Sequence, residues 1–145
     1  MAEARAETTI ERSADDVWAT IGTFGDMSWF PGVETCTVDG DECSAKLAGR
    51  NLEHVIRLVH RDDATRTYTY ETVGFRGDTI SATEDGGTVD ANSITGHIAT
   101  ITVAPQGGSS SRVTYDVSVD SEPMGEQMRA RYQSVLDSLK DALER

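Results

Sequence analysis

The amino-acid sequence predicts a two-layer α+β domain in which an antiparallel sheet packs against one long C-terminal helix. Three observations predict it. Charged and small or apolar residues alternate along the first eleven positions, stretches of the same two-residue period recur between Val33 and Asp120, and the chain closes on a helical stripe from about Pro123 to Leu143. A period of two is a strand with one face buried, and a period near 3.6 is an amphipathic helix. One such helix after a run of strands gives a sheet layer and a helix layer. With 145 residues, the chain is long enough to bury its own core, and we read residues 1–145 as a single domain.

The first strand is read from Ala2 to Glu11, with Ala4, Ala6, Thr8 and Ile10 on one face and charged residues between them. Ser13-Ala14-Asp15-Asp16 then has the form of a helix start, a hydroxyl that can cap free amides followed by acids at the positive end of the helix dipole. Val17, Trp18 and Ile21 form its apolar stripe, and Gly22 is a stop. Phe24 to Pro31 reads as a short second helix or turn. Strands are expected over Val33–Asp39, Ser44–Gly49, Leu52–His60 and Thr67–Val73, on their alternation and their β-branched and aromatic content. Leu52, His54, Ile56 and Leu58 share one face; Tyr68, Tyr70 and Thr72 share another. Residues 74–93 carry the turn signals Gly77-Asp78 and Asp85-Gly86-Gly87, with Thr79–Thr83 as a short strand in a long loop or as an extra hairpin. Ile94–Val103 and Arg112–Asp120 are the last strands, joined by the glycine-rich turn Gln106–Ser110. On the final helix Met124, Met128, Tyr132, Val135, Leu136, Leu139 and Leu143 fall on one stripe.

The formal charge is −12, spread along the chain. Diffuse acid argues against nucleic acid and against an anionic membrane surface, both of which call for clustered Lys and Arg. No apolar run is long enough to span a bilayer, and the N-terminal residues lack the pattern of a signal peptide, so a cytoplasmic protein is expected. Cys36 and Cys43 are too few for a disulfide framework and lack zinc-knuckle spacing. With Cys36 in a strand and Cys43 in a turn, we expect ordinary thiols in a reducing compartment. No phosphate-binding glycine loop, His-Glu-x-x-His or Gly-x-Ser-x-Gly elbow is present. The three histidines show no recognised ligand spacing, so neither a metal nor a cofactor is expected.

Four segments carry a family resemblance. They are Glu7-x-x-Ile10-Glu11-x-Ser13-Ala14-Asp15-Asp16-Val17-Trp18; Phe24-Gly25-Asp26-Met27-Ser28-Trp29-Phe30-Pro31; Asp62 to Tyr70; and Ala99–Val103 followed, after a glycine turn, by Ser111–Tyr115. Their order resembles the START-related (SRPBCC) superfamily, and within it the polyketide cyclase/dehydrase-like proteins. The resemblance covers nearly the whole chain apart from residues 74–93. It implies a helix-grip fold, with a curved antiparallel sheet wrapped around a long C-terminal helix, two short helices after strand 1, and a ligand cavity between sheet and helix.

Such a cavity is mostly apolar with a few placed polar groups. The inward faces nominate His54, Ile56, Tyr68, Tyr70, His97 and Ile101 from the sheet. Met124, Met128 and Tyr132 come from the final helix, and Trp29 and Phe30 stand beside an entrance. His54, His97 and Tyr70 are the candidates for acid–base or oxyanion chemistry; each reads equally as a core or rim residue satisfied by a local hydrogen bond. His60 is expected in solvent, and Arg57 and Glu53 on the face opposite His54 unless the register slips by one. The expected function is binding of a small hydrophobic ligand such as a lipid, acyl chain or polyketide-like aromatic. A cyclase/dehydrase-type enzyme and a protein-interaction or regulatory module are the alternatives, the protein partner being unspecified.

Overall fold

The computed structural model describes residues 2–22, 33–49, 51–78, 80–82, 88–90, 96–120 and 122–144. The elements run β1 (Ala2–Ile10), α1 (Ala14–Ile21), β2 (Val33–Asp39), β3 (Glu42–Leu47), β4 (Leu52–Asp62), β5 (Thr67–Gly77), β6 (Ile80–Ala82), β7 (Thr88–Asp90), β8 (Ile98–Pro105), β9 (Ser111–Val119) and α2 (Glu122–Leu143). Seven strands form one sheet in the order β1-β9-β8-β5-β4-β3-β2, every pairing antiparallel, and β6 pairs with β7 in a separate hairpin. The sheet curves around α2, the helix-grip arrangement.

The alternation read from the sequence is the alternation of burial. Val113, Tyr115, Val117 and Val119 are buried along β9, and Ala99, Ile101 and Val103 along β8. Tyr132, Val135, Leu136 and Leu139 of α2 close the core from the other side. Ser13 caps α1, its hydroxyl accepting from the Asp16 amide at 3.2 Å. Gly22 ends α1 for a steric reason rather than by a left-handed turn, since its φ is −80° and an added Cβ would run into the Trp18 ring.

α2 also seals one edge of the sheet. Gln133 Nε2 donates to the Glu7 carbonyl at 3.1 Å, Lys140 Nζ to the Thr9 carbonyl at 2.8 Å, and the Glu11 amide to Glu144 at 2.8 Å. Free backbone groups along edge strand β1, which would otherwise template another strand, are thereby occupied.

Several expectations are corrected. β3 begins at Glu42, so Cys43 lies in a strand and not a turn. The tight β2–β3 hairpin sets Cys36 opposite Ala45 and Cys43 opposite Val38. Both cysteines therefore sit on one face as diagonal neighbours, with Cα atoms 6.5 Å apart, and they form a disulfide. This separation lies within disulfide reach. The expectation of two ordinary thiols is overturned, and with it the support that reduced cysteines lent to a cytoplasmic reading. β5 runs on to Gly77, beyond the expected Val73. β6 and β7 are the extra hairpin, and β8 starts at Ile98 rather than Ile94. Of the two short helices expected after strand 1, α1 is present; the second falls on residues 24–31, outside the described residues. No helix among the described residues is long and apolar enough to cross a membrane.

Candidate functional site

Two bulges in the β4–β5 pair build the site. Between Val55 and Ile56 the partners jump from Gly74 to Thr72, leaving Val73 as the extra residue; between Leu58 and His60 the extra residue is Val59. A bulge flips the alternation of the strand that carries it. Thr72 and Phe75 thus come to the same side, the side of His54. His54 stacks on the Phe75 ring with centroids 4.6 Å apart and planes at 10°, and its Nε2 is 2.9 Å from the Thr72 hydroxyl.

From there hydrogen bonds run unbroken into the core. The Thr72 hydroxyl lies 2.8 Å from His97 Nδ1. His97 Nε2 lies 2.8 Å from the Tyr132 hydroxyl on α2. Tyr132 meets the Tyr70 hydroxyl at 3.5 Å, and Tyr70 is hydrogen bonded to Tyr115. The Tyr115 and Tyr132 rings stack at 4.1 Å and 15°. His97 is held by its backbone too, because its carbonyl accepts from the Thr72 amide at 3.0 Å. His97, Tyr70, Tyr115 and Tyr132 are buried, while His54 is partly exposed, so the chain opens toward His54.

The electrostatics keep this set neutral. Burial pulls the His97 pKa down to about 4. Burial first, then the charges of His97 and Arg131, pulls His54 down to about 3. Burial pushes the phenols of Tyr70, Tyr115 and Tyr132 up. Desolvation disfavours the charged form in each case. At neutral pH the array is one of donors and acceptors without a formal charge.

Of the residues nominated from sequence, His54, Tyr70, His97 and Tyr132 are brought into this array. Ile56 and Ile101 are in the apolar core, with Met128 packed against it half-buried. Tyr68 is buried too, but it faces α1, its ring 5.9 Å from that of Trp18. Trp29, Phe30 and the Met124 side chain lie outside the described residues. His60 is exposed. Arg57 is exposed as well, its Nε donating to Glu71 at 2.9 Å, so the register with His54 inward stands. Sequence reading missed Thr72, Phe75 and Tyr115 as site members. Thr72 and Tyr115 carried a signal, an inward position with a polar head, whereas Phe75 fell in the stretch without clear periodicity. Among the described residues no cluster of three or more His, Cys, Asp or Glu could hold a metal. A separate open cavity of about 430 Å³, lined by Arg5, Thr100, Asp116 and Ser118 among others, lies on the opposite face of the sheet. It contains none of the array.

A curved antiparallel sheet gripping a C-terminal helix, with polar side chains facing each other across that interface, defines a START-like protein of the SRPBCC superfamily. The chain belongs to the family described as polyketide cyclase / dehydrase and lipid transport, whose sequence model matches residues 1–144. Among solved structures it is similar to an uncharacterised protein from Bacillus thuringiensis, with a TM-score of 0.80 and 19% identity over 98% of each chain. It is also similar to a START superfamily protein from Mycobacterium smegmatis, at TM-score 0.71 and 11% identity, covering 98% of this chain and 97% of that one. Norcoclaurine synthase from Thalictrum flavum, solved with dopamine and hydroxybenzaldehyde, aligns at TM-score 0.63 and 18% identity, covering 99% of this chain and 84% of that one. No curated protein sequence gives a significant match.

Proposed function

We propose that the chain binds a small, largely apolar molecule, such as a lipid, acyl chain or polyketide-like aromatic, between the concave face of the sheet and α2, with residues 1–145 acting as one domain. The observation that carries this reading is the neutral hydrogen-bonded array from His54 to Tyr115 set into an otherwise apolar interior. Apolar walls with a few fixed polar groups are the usual make-up of a small-molecule site. Family membership supports it, since the family's description joins lipid transport to polyketide chemistry. The pKa shifts favour binding over acid–base work. A general acid or base operates best with a pKa near the working pH, and here histidines and tyrosines are moved away from neutrality in opposite directions.

Native mass spectrometry of protein purified from its host is expected to show a co-purified small molecule. Amide spectra recorded with a panel of fatty acids and aromatic ketones are expected to shift at His54, Thr72 and Met128. An adduct-free spectrum together with a panel that moves no amide would overturn the reading.

An enzyme of the cyclase/dehydrase type is the second reading. Its supporting observation is the continuity of the path His54–Thr72–His97–Tyr132, which could pass a proton in single steps of hydrogen-bond length. If it holds, His97→Ala lowers turnover of a polyketide substrate far more than binding; equal loss of both counts against it.

A further inference from the structure

The two edges of the sheet are held in different ways. β1 is fastened by α2 through Gln133, Lys140 and Glu144. β2, the opposite edge, pairs with β3 alone. Five of its seven residues are exposed, and its ladder is interrupted by a register shift between Val33 and Thr35. Glu34 adds an exposed ion pair with Lys46 at 3.1 Å, which is worth little in water. The disulfide ties this edge inward. Cys43 is fully buried in the core, and Cys36 packs half-buried against it. A strand with a ladder on one side and few buried apolar residues is the kind of segment that opens locally. The Cys36–Cys43 bond stands between β2 and that opening.

The bond also lies beside the candidate site. Directly opposed residues on neighbouring strands share one face of a sheet. Cys36 is opposite Ala45, Ala45 opposite His54, and His54 opposite Phe75. In the next row Cys43 is opposite Ile56, and Ile56 opposite Thr72. The disulfide and the His54–Thr72 end of the array therefore occupy the same two rows of the concave face. Cys36 and His54 are two strand spacings apart, roughly 10 Å, and the residue between them in the row is the small Ala45.

We propose that Cys36–Cys43 is a redox latch on the binding site. Oxidised, it holds the β2–β3 rim beside the partly exposed His54 and retains the bound molecule. Reduced, it lets β2 open and the molecule leave. The inference rests on the binding reading above and adds its regulation. The co-reactant is a dithiol. One of its thiolates attacks Sγ of the half-buried Cys36, the S–S bond breaks, and the electron pair leaves on Cys43 Sγ, which takes up a proton. The second thiol of the reductant then attacks the reductant's own sulfur in the mixed disulfide and releases Cys36 as a thiol. Two electrons and two protons pass to the protein, and the reductant leaves as a disulfide. A rim fixed in advance need not be ordered by the ligand, so the oxidised form binds more tightly. By reciprocity, the bound molecule protects the bond from reduction by the same factor.

Two measurements test it. Amide hydrogen exchange is compared in the oxidised protein, in protein reduced with tris(2-carboxyethyl)phosphine, and in Cys36→Ser, which keeps the buried Cys43 sulfur and cannot form the bond. Amides of the β2–β3 ladder are expected to exchange roughly 10- to 50-fold faster without the bond, the order expected of a short closed loop. Amides of the β8–β9 ladder are expected to keep their rates. Faster exchange throughout the sheet, or no change in β2 and β3, overturns the latch. The second measurement is a fluorescence titration with N-phenyl-1-naphthylamine. Reduction is expected to weaken its binding about 3- to 10-fold and to speed its dissociation, and Cys36→Ser is expected to match the reduced protein with or without reductant. Equal affinity and equal dissociation rate in the two redox states overturn the latch while leaving the binding reading in place. Failure of the probe to bind either state overturns the latch and, together with an adduct-free native mass spectrum, the binding reading too.

Discussion

Thr72→Val isolates the polar array from the packing around it. Valine keeps the β-branched shape that suits β5 and removes only the hydroxyl that bridges His54 and His97, at 2.9 and 2.8 Å. His97 is 3% exposed, so its Nδ1 is left buried without its Thr72 partner, at a cost of about 1–3 kcal/mol. His54 is partly exposed and water replaces part of its lost bond, adding roughly 0.5 kcal/mol. The methyl that replaces the hydroxyl returns somewhat less than about 0.8 kcal/mol by apolar burial. The net loss is therefore about 2 kcal/mol. For this 145-residue chain, an unfolding entropy of about 2.1 cal/mol/K per residue converts that to a fall in Tm of roughly 7 °C. Urea unfolding followed by far-UV circular dichroism measures the free energy, and calorimetry the Tm. Thr72→Ser restores the hydroxyl at the expense of a half-buried methyl and is expected to recover at least half of the loss. A Thr72→Val protein within about 0.5 kcal/mol of the native one, or a serine variant no better than valine, would refute the view that the hydroxyl is structurally used.

Other consequences can be measured alongside. His97 and His54 have folded pKa values of about 4 and 3, below the ordinary 6.5. Between these values the unfolded chain binds protons the folded chain does not, so stability is complete above about pH 6.5 and falls as pH drops. His97 alone accounts for about 2 kcal/mol between pH 6.5 and 5. Urea midpoints at pH 7, 6 and 5 should show that fall, and His97→Phe should remove about half of it, since His54 titrates over the same range; a flat native profile would refute the buried neutral histidines. Reduction of Cys36–Cys43, which are separated by 7 positions, is expected to cost about 2 kcal/mol by freeing the hairpin in the unfolded state. Thiol titration in denaturant should find no free thiol before reductant, and two reactive thiols there would remove the bridge. Gly77→Ala is expected to destabilise by roughly 2–4 kcal/mol, because φ is +97° and an added Cβ would strike the backbone carbonyl of Asn51; a loss under about 1 kcal/mol in urea unfolding would contradict that geometry.

Periodicity made the strands and the long helix legible, because each buries one face and leaves the other in water. The inward sets on β8, β9 and α2 follow the sequence alternation without interruption. The site is less legible where the alternation breaks. Val59 and Val73 are 56% and 49% exposed, on the side that alternation along each strand already gives them, so their exposure carries no sign of a break. They are the extra residues of the two bulges. Each is invisible in sequence, because a bulge is fixed by what the neighbouring strand offers and not by its own residue type. Without the bulge at Val73, Phe75 would face away from His54. The disulfide was hidden for a related reason: the hairpin turn is two residues tighter than the composition of Gly40 to Cys43 suggested, and only that register sets Cys36 diagonal to Cys43.

The last helix joins the two halves of this structure. Tyr132 enters the polar array through His97, while the adjacent Gln133 reaches back to the carbonyl of Glu7 on β1. One residue thus supports the candidate site and its neighbour seals the sheet edge, and Lys140 repeats the seal two turns on. Any sliding of α2 that widened the space beside His54 would have to break the Tyr132–His97 bond or the Gln133–Glu7 bond, or both. Each is worth about 1 kcal/mol net, more where a buried partner is orphaned. The favourable route to admit the proposed ligand is therefore movement of groups on the His54 side, where the array is partly exposed, with α2 held in place by its bonds to β1.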